Sequence, residues 1–190
     1  MLIRTILSQN TSDVNRDRAF NKLAAEFDIQ PNVLADLSEE QVKRSIKMAG
    51  LGNIKARRLI SVAAEVCNRF HGDIAGVLRL PVPQARMELM GIEGIGPKTA
   101  DIMLAFGAAK PVVPVDTHLF TIASRLGLVQ SRNYEAVRAA YERAISPGQR
   151  VEGHMLFIEL GKSVCTAKKP KCVSCPISEL CPKIGVETAK

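Results

Sequence analysis

Apolar residues recur along most of the chain at the three- and four-residue spacing that places them on one face of a helix. The two clearest runs are Leu59, Val62, Ala63, Val66 and Phe70, and then Leu119, Ile122, Ala123 and Leu126. No stretch alternates apolar and polar residues as a half-buried strand does. The pattern predicts an all-α protein with helices near residues 2–9, 14–27, 38–49, 53–70, 73–79, 83–90, 97–107, 117–127, 133–145 and 151–164.

Polar residues and prolines mark where these helices begin and where the chain divides. Ser38 followed three residues later by Gln41 is a capping-box signature for the start of a helix. The connector between the seventh and eighth predicted helices contains Pro111 and Pro114, which do not fit a helix interior. Because 190 residues suffice for two small domains, we expect one domain over residues 1–110 and a second over residues 111–190.

The stretch GIEGIGPKTAD, residues 91–101, joins two predicted helices and is rich in glycine. Gly94 and Gly96 can adopt backbone angles closed to other residues, and they place no side chain between the backbone and a partner. Pro97 suits the first position of a helix, where its missing N–H costs nothing. The segment at about 84–107 therefore predicts a helix–hairpin–helix whose free N–H groups bind an anion. A tight turn with glycines for packing alone is the alternative.

A nucleotide-binding phosphate loop is excluded for this segment. Such a loop has a glycine directly before its lysine and follows a strand, whereas here Pro97 precedes Lys98 and a helix comes before the turn. A DNA phosphate is the anion that a hairpin of this kind binds through its backbone, which gives position without sequence preference. We therefore expect Gly94, Ile95, Gly96 and Lys98 to contact DNA.

Four cysteines lie close together near the end of the sequence, at Cys165, Cys172, Cys175 and Cys181. Four thiols so close together predict a metal centre rather than disulfides. Sulfur ligands suit either zinc or an iron–sulfur cluster. A typical zinc ribbon has two separated CxxC pairs and this segment has one, so the spacing favours a [4Fe–4S] cluster. Cys67 lies on the apolar side of its helix and is expected to be a core residue.

The net charge of +7 is consistent with a polyanionic partner without proving one. The cysteine segment has a local excess of lysine, and we expect Lys168, Lys169 and Lys171 to face DNA phosphates. No apolar run approaches the roughly 18 residues that a membrane span requires. The first residues do not resemble a signal peptide, so we expect an intracellular protein.

Three motifs in this order resemble a known family. They are GIGPKTAD at residues 94–101, VDTH at residues 115–118 and C-x6-C-x2-C-x5-C at residues 165–181. Together they resemble the endonuclease III family, in the helix–hairpin–helix DNA glycosylase superfamily, over essentially the whole chain. The resemblance implies a six-helix barrel domain with the hairpin and an iron–sulfur cluster domain. It also leads us to expect a helix before the first predicted one, which this sequence begins without.

The resemblance implies two residues for the chemistry. Lys98 matches the family's nucleophile, whose neutral amine attacks C1′ of the sugar, expels the base and leaves a Schiff base from which β-elimination nicks the strand. Asp116 matches the aspartate that stabilises the cationic sugar or assists proton transfer. The simpler roles are a phosphate contact for Lys98 and the N-cap of the next helix for Asp116.

The family also fills the space that a flipped base leaves in the duplex. It does so with a leucine in a short interhelical loop and with an amide side chain after an early LS motif. Leu51 in GLGNIKA matches the leucine. Gln9 and Asn10 in LSQNTSD are the candidates for the amide, and Asn10 occupies the position where relatives often have glutamine.

The resemblance therefore implies a bifunctional DNA glycosylase and abasic-site lyase of base excision repair. It would act as a monomer on double-stranded DNA that carries an oxidised or saturated pyrimidine or an abasic site. The expected place is a prokaryotic cytoplasm, at the nucleoid, or a nucleus. Three alternatives stay open: a monofunctional mismatch or uracil glycosylase, a non-catalytic iron–sulfur DNA-binding module, and a zinc-stabilised DNA-binding protein.

Overall fold

The computed structural model describes residues 1–186, which are mostly helical and contain no strand. The chain divides into two compact units, Met1–Ala108 and Ala109–Lys190. The helices of the first unit are Leu2–Ser8 (α1), Asp13–Glu26 (α2), Pro31–Ala35 (α3), Glu39–Ser45 (α4), Gly52–Phe70 (α5), Ile74–Arg79 (α6), Val82–Met90 (α7) and Pro97–Ala108 (α8). Those of the second are Thr117–Arg125 (α9), Tyr134–Ala144 (α10) and Arg150–Ser163 (α11). No helix within residues 1–186 has the length and apolar character to cross a membrane.

The all-α prediction is confirmed, and every predicted helical segment contains a helix. The segment expected at 38–49 is divided, because α4 ends at Ser45 and a separate 3-10 turn follows at Lys47–Ala49. The capping box is present: Ser38 N–H donates to Gln41 Oε1 at 2.9 Å, and Gln41 N–H donates to Ser38 Oγ. The helix α3 was not predicted, since five residues are too few to show a helical period.

The core of the first unit is built on α5, the longest helix among the described residues. Its buried face carries Leu59, Val62 and Val66, each about 3 % exposed, and packs against α3 and α4. Burying side chains of this size stabilises a fold by about 1.5–3 kcal/mol each. The observed apolar face is the one that the sequence spacing predicts.

A buried ion pair joins the two helices of the hairpin. Asp101 on α8 is fully buried, and its carboxylate accepts a hydrogen bond from Nε of Arg86 on α7 at 2.7 Å. Removing one partner of such a pair leaves an uncompensated charge and costs about 3–5 kcal/mol. The pair therefore fixes α7 and α8 on either side of the turn at residues 91–96.

The second unit has its own core, formed by Val113, Val115, Leu119, Ala123, Val137 and Tyr141. The Tyr141 hydroxyl donates to the Leu119 carbonyl at 2.9 Å, and its ring packs on Phe157. Burial raises the pKa of Tyr141, so the hydroxyl remains a donor. The helices α9 and α11 approach closely at Gly161, where an added Cβ would lie 2.5 Å from Cβ of His118.

The two units divide between residues 108 and 109, close to the boundary expected after residue 110. Each unit has a separate apolar core within the described residues. The assignment of the first unit as a six-helix barrel domain and of the second as a cluster domain stays a prediction.

Candidate functional site

The turn between α7 and α8 is anchored by apolar side chains. Ile92 and Ile95 are 1 % and 4 % exposed, and the N–H of Ile95 donates to the carbonyl of Ile92 at 3.1 Å. Both the side chain and the N–H of Ile95 are thus used within the protein. Of Ile95, only the backbone carbonyl remains for the predicted contact with DNA. Its structural role is to hold the turn.

The two glycines of the turn differ in what they provide. Gly94 has φ +88°, a left-handed backbone conformation that residues with a side chain rarely adopt, and it lies against the Arg58 side chain. Gly96 has no such angle, and a Cβ added there would meet nothing within 4 Å. The fold therefore requires a glycine at Gly94 and not at Gly96. At Gly96 the missing side chain leaves space in which a ligand can approach the backbone.

The start of α8 presents donors to this space. Among residues 1–186, the backbone N–H groups of Gly96 and Lys98 have no acceptor, as expected at the first turn of a helix. Lys98 is exposed and forms no ion pair within the described residues. The turn thus combines open backbone donors with an unpaired amine, an arrangement that suits a phosphate and a nearby electrophile.

Asp116 lies in the second unit, directly before α9. Its Oδ1 accepts hydrogen bonds from the N–H groups of His118 and Leu119, both at 2.9 Å. The N-cap role predicted for Asp116 is confirmed. The two contacts use one carboxylate oxygen, so the side chain is oriented while its second oxygen stays available. Its predicted part in catalysis stays a prediction, as does that of Lys98 in the first unit.

Two residues predicted to enter the duplex have strained backbones. Leu51 precedes α5 with φ 50°, and Asn10 follows α1 with φ 53°. A left-handed conformation costs a residue such as Leu51 about 1–2 kcal/mol, whereas asparagine adopts it more readily. The Leu51 side chain is 53 % exposed, and Asn10 is exposed as well. Both side chains are therefore open to a partner outside the chain.

Gln9 and Asn10 differ in the contacts that their side chains form. Oε1 of Gln9 accepts a hydrogen bond from Nη1 of Arg58, whose side chain also lies along Gly94 of the hairpin. Gln9, which is partly buried, is therefore held by Arg58, whereas Asn10 has no such contact within the described residues. Asn10 is the better candidate for the filler amide. Arg58 was missed from the sequence because a lone arginine on a helix predicts no particular partner.

The four clustered cysteines face one cavity in the second unit. Cys165, Cys172, Cys175 and Cys181 all line it, with apolar walls that include Ile122 and Leu160. Cys67 belongs to α5 of the first unit and is half-buried there. Within the described residues no three His, Cys, Asp or Glu side chains converge on the position of a single metal ion. Four thiols around a shared cavity are a ligand set that suits an iron–sulfur cluster or a zinc ion.

Arg125 at the end of α9 organises the cysteine segment. Its guanidinium is buried and donates to the carbonyls of Cys165, Thr166 and Ala167 at 2.9–3.1 Å, and to Sγ of Cys165 at 3.1 Å. The N–H of Lys183 donates to Sγ of Cys181 at 3.4 Å. Donors to sulfur stabilise the thiolate form that binds metal. Sequence reasoning missed Arg125, because its burial and its contact with a segment 40 residues away are visible only in the folded chain.

The predicted phosphate-facing lysines lie on the surface of the same segment. Lys168, Lys169 and Lys171 are all exposed and belong to the connection between Cys165 and Cys172. None of the three forms an ion pair within residues 1–186. Their ammonium groups are therefore available to a polyanion, as predicted. Contact with DNA stays a prediction for each of them.

Comparison with known proteins agrees with this arrangement. Residues 3–147 match the HhH-GPD superfamily of base excision DNA repair proteins, and residues 165–181 match the iron-sulfur binding domain of endonuclease III. Endonuclease III of Rickettsia conorii and of Escherichia coli K12 are each 32 % identical to this chain over 181 residues, 95 % of this chain and 82 % of the relative. The predicted [4Fe–4S] cofactor is confirmed, which removes the zinc alternative.

A solved structure agrees over the same extent. A trapped endonuclease III–DNA covalent intermediate, an estranged-adenine complex, superimposes with a TM-score of 0.83 and 26 % sequence identity. The match covers 96 % of this chain and 82 % of that one. The predicted fold class is thereby confirmed.

Proposed function

The chain belongs to the endonuclease III family of the HhH-GPD superfamily of base excision DNA repair proteins, and from this premise we propose a bifunctional enzyme that removes oxidised or saturated pyrimidines and nicks the abasic site. DNA glycosylase and lyase activity is the activity of the family. The damaged base that this enzyme removes and the residues that carry out the reaction are what we propose. The observation that carries it is Lys98, exposed and without an ion pair among the described residues, directly after the glycine turn.

The partner is double-stranded DNA that contains a damaged base or an abasic site, bound by one copy of the chain. The turn at residues 91–96 binds a phosphate through the N–H groups at the start of α8, and Gly96 permits the close approach. Lys168, Lys169 and Lys171 add phosphate contacts. Leu51 and Asn10 enter the duplex where the base has left. The enzyme acts where the chromosome lies, in a prokaryotic cytoplasm or a nucleus.

The chemistry uses the Lys98 amine as nucleophile. Nζ forms a bond to C1′ while the glycosidic bond breaks, and the base leaves with the electron pair and takes up a proton. The sugar ring opens to give an imine between Lys98 and C1′. Loss of a proton from C2′ expels the 3′ phosphate, and water then hydrolyses the imine and frees Lys98. Asp116 stabilises positive charge on the sugar or moves a proton.

The cysteines that we propose as cluster ligands are Cys165, Cys172, Cys175 and Cys181, the four that line one cavity. These four thiolates would hold a [4Fe–4S] cluster, which would link them to one another and supply redox chemistry. The connection between Cys165 and Cys172 carries the three exposed lysines. Arg125 keeps the Cys165 end of the segment against α9.

Borohydride trapping on a duplex with one abasic site tests the proposal. We expect a covalent protein–DNA adduct with the wild type and its loss in Lys98→Ala, because reduction of the imine fixes the nucleophile to the sugar. Lys22→Ala, which removes an exposed lysine of α2, is the matched control and keeps the adduct. Duplexes with oxidised or saturated pyrimidines then test the choice of base.

Two results would contradict the proposal. No adduct from folded, cluster-loaded wild type that binds DNA would exclude the lyase and leave a monofunctional glycosylase or a non-catalytic DNA-binding protein. An adduct that persists in Lys98→Ala would assign the nucleophile to another residue.

A further inference from the structure

Lys55, on the first turns of α5, is a charged residue buried among the core of the first unit. It is 2 % exposed, and no acidic side chain pairs with it within the described residues. Lysine is almost never fully buried without a partner, because removing an ammonium from water is costly. Burial lowers the pKa of Lys55. An ammonium group at this position therefore needs acceptors from the protein itself.

The ammonium group of Lys55 satisfies three oxygens from two separate parts of the chain. Nζ donates to the carbonyl of Leu7 at 2.8 Å, to the carbonyl of Ala49 at 2.7 Å and to Oγ1 of Thr11 at 2.5 Å. The Thr11 hydroxyl in turn donates to the carbonyl of Ala49. All three N–H bonds of the ammonium are therefore used, which allows it to remain charged in the core.

The two carbonyls lie at the ends of helical segments. Leu7 belongs to the last turn of α1, and Ala49 ends the 3-10 turn before α5. The final carbonyls of a helix lack partners in the helix itself, and a lysine is a favourable partner for them. Lys55 thus binds the chain at the two points where it leaves regular structure.

Each of these points leads directly into a strained, exposed loop. The Asn10 loop (residues 9–12) follows α1, and the Leu51 loop (residues 50–51) follows Ala49. Asn10 and Leu51 are the residues with a side chain in these loops that have a positive φ, and Gly50 beside Leu51 has one as well. Strained conformations persist only where surrounding contacts fix them. The ammonium group of Lys55 therefore binds the chain just before each of the two loops.

We propose that Lys55 is a positioning residue that fixes the Asn10 loop and the Leu51 loop relative to each other, so that both side chains enter the DNA duplex together. This inference rests on the proposed function, because it assigns a support to the residues proposed to enter the duplex. Lys55 touches no substrate and acts through the two loops. Misplacing a functional group by about 1 Å can reduce a rate by about a hundredfold.

The test compares Lys55→Met with Leu59→Ala. Methionine keeps an unbranched side chain that is one atom shorter and removes all three donors. Leu59, one turn further along α5 and 3 % exposed, loses only core packing and controls for a general loss of stability. The readout is the fluorescence of 2-aminopurine placed opposite a tetrahydrofuran abasic analogue, which rises when inserted side chains unstack it. This readout requires no chemistry.

We expect Lys55→Met to bind the abasic-analogue duplex, with its 2-aminopurine unstacked, about tenfold or more weakly than the wild type. Its affinity for undamaged duplex should be unchanged. Leu59→Ala should lower the melting temperature and keep the fluorescence rise. Thr11→Val, which removes one of the three acceptors, should give an intermediate loss and provides the test if Lys55→Met does not fold.

An unchanged fluorescence rise in Lys55→Met, or an equal loss in Leu59→Ala, would overturn the inference. Borohydride trapping on a single-stranded abasic oligonucleotide, which needs no insertion, separates this result from failure of the proposed function. There we expect Lys55→Met to form adduct at the wild-type rate. If the wild type forms no adduct, the proposed lyase activity is wrong. The fluorescence measurement then tests the positioning role of Lys55 by itself.

Discussion

Single residues of the hairpin show how the same amino acid serves two different ends. Gly94 is needed by the fold, because its φ of +88° is closed to most side chains. Gly96 has no positive φ and no neighbour within 4 Å of an added Cβ. The sequence alone makes the two glycines look equivalent, and backbone angles distinguish them.

Gly96→Ala should weaken DNA binding without weakening the fold. We expect its free energy of unfolding to stay unchanged or to rise by up to about 1 kcal/mol, because alanine restricts the unfolded chain. The added methyl group lies where the phosphate would approach, so affinity for abasic duplex should fall about tenfold, or about 1.4 kcal/mol. Chemical denaturation and a binding titration at fixed salt measure the two quantities.

Gly94→Ala is the control with the opposite outcome. Alanine in a left-handed conformation costs about 1–2 kcal/mol, and its Cβ would press on Arg58 at 3.0–3.1 Å. We therefore expect a lower free energy of unfolding for this variant. If Gly96→Ala binds DNA as tightly as the wild type, the hairpin does not bring its backbone against a phosphate at this position.

At the scale of elements, α9 connects two functional features of the second unit. Asp116 caps its first turn, and Arg125 at its end binds three consecutive carbonyls of the cysteine segment. The carbonyl of Arg125 also accepts from the N–H of Ile184 at 3.1 Å, beyond the last cysteine. One helix end thus holds both sides of the cysteine segment.

Arg125→Gln should loosen the iron–sulfur cluster. Glutamine is too short to reach the three carbonyls and the Cys165 sulfur together, so the first ligand loses its fixed position. Changing residues that orient metal ligands costs about 10–100-fold in metal affinity. We expect iron release to a chelator, followed by the visible absorbance of the cluster, to be about tenfold faster. Arg143→Gln removes the same charge from an exposed position on α10 and should release iron at the wild-type rate. Equal rates for Arg125→Gln and the wild type would show that the cysteines need no such support.

Over the whole molecule, the excess of positive charge predicts salt-sensitive binding to DNA. The chain has 26 Lys and Arg against 19 Asp and Glu, a net charge of +7. Affinity for duplex DNA falls with salt in proportion to the number of phosphates neutralised. Position of charge matters as well as its sum, because only side chains that reach a phosphate release a counterion.

Replacing Lys168, Lys169 and Lys171 together by glutamine should flatten this salt dependence. The slope of log affinity against log salt should decrease by about 0.9 for each phosphate that the protein no longer neutralises. Titrations over a series of salt concentrations measure it. The matched control replaces Arg18, Lys22 and Arg143, which are exposed elsewhere, and lowers the net charge from +7 to +4 in the same way. If both triple variants change the slope equally, the cysteine segment does not bind phosphates of its own.

Much of the fold and the site was predictable from local pattern. The apolar period located α5 and α9, the capping box located the start of α4, and the glycine turn and cysteine spacing located the hairpin and the iron–sulfur segment. The five residues of α3 were not predicted, because so short a helix has no period and forms through its packing on α5. The roles of Lys98 and Asp116 rest on the family resemblance, and the trapping experiment tests that of Lys98.

The sequence by itself determined the longer helices, the hairpin turn and the cysteine segment, because each is specified by residues a few positions apart. Only the tertiary structure decided which distant residues meet. Lys55 contacts Leu7, Arg58 contacts Gln9 and Arg125 contacts Cys165 across 48, 49 and 40 positions. Lys55 shares the helical face of Leu59, Val62 and Val66, so its place in the core was visible in the sequence. Its partners were not, because a hydrogen bond depends on where the folded chain brings each acceptor, and that is set by the packing of the whole unit.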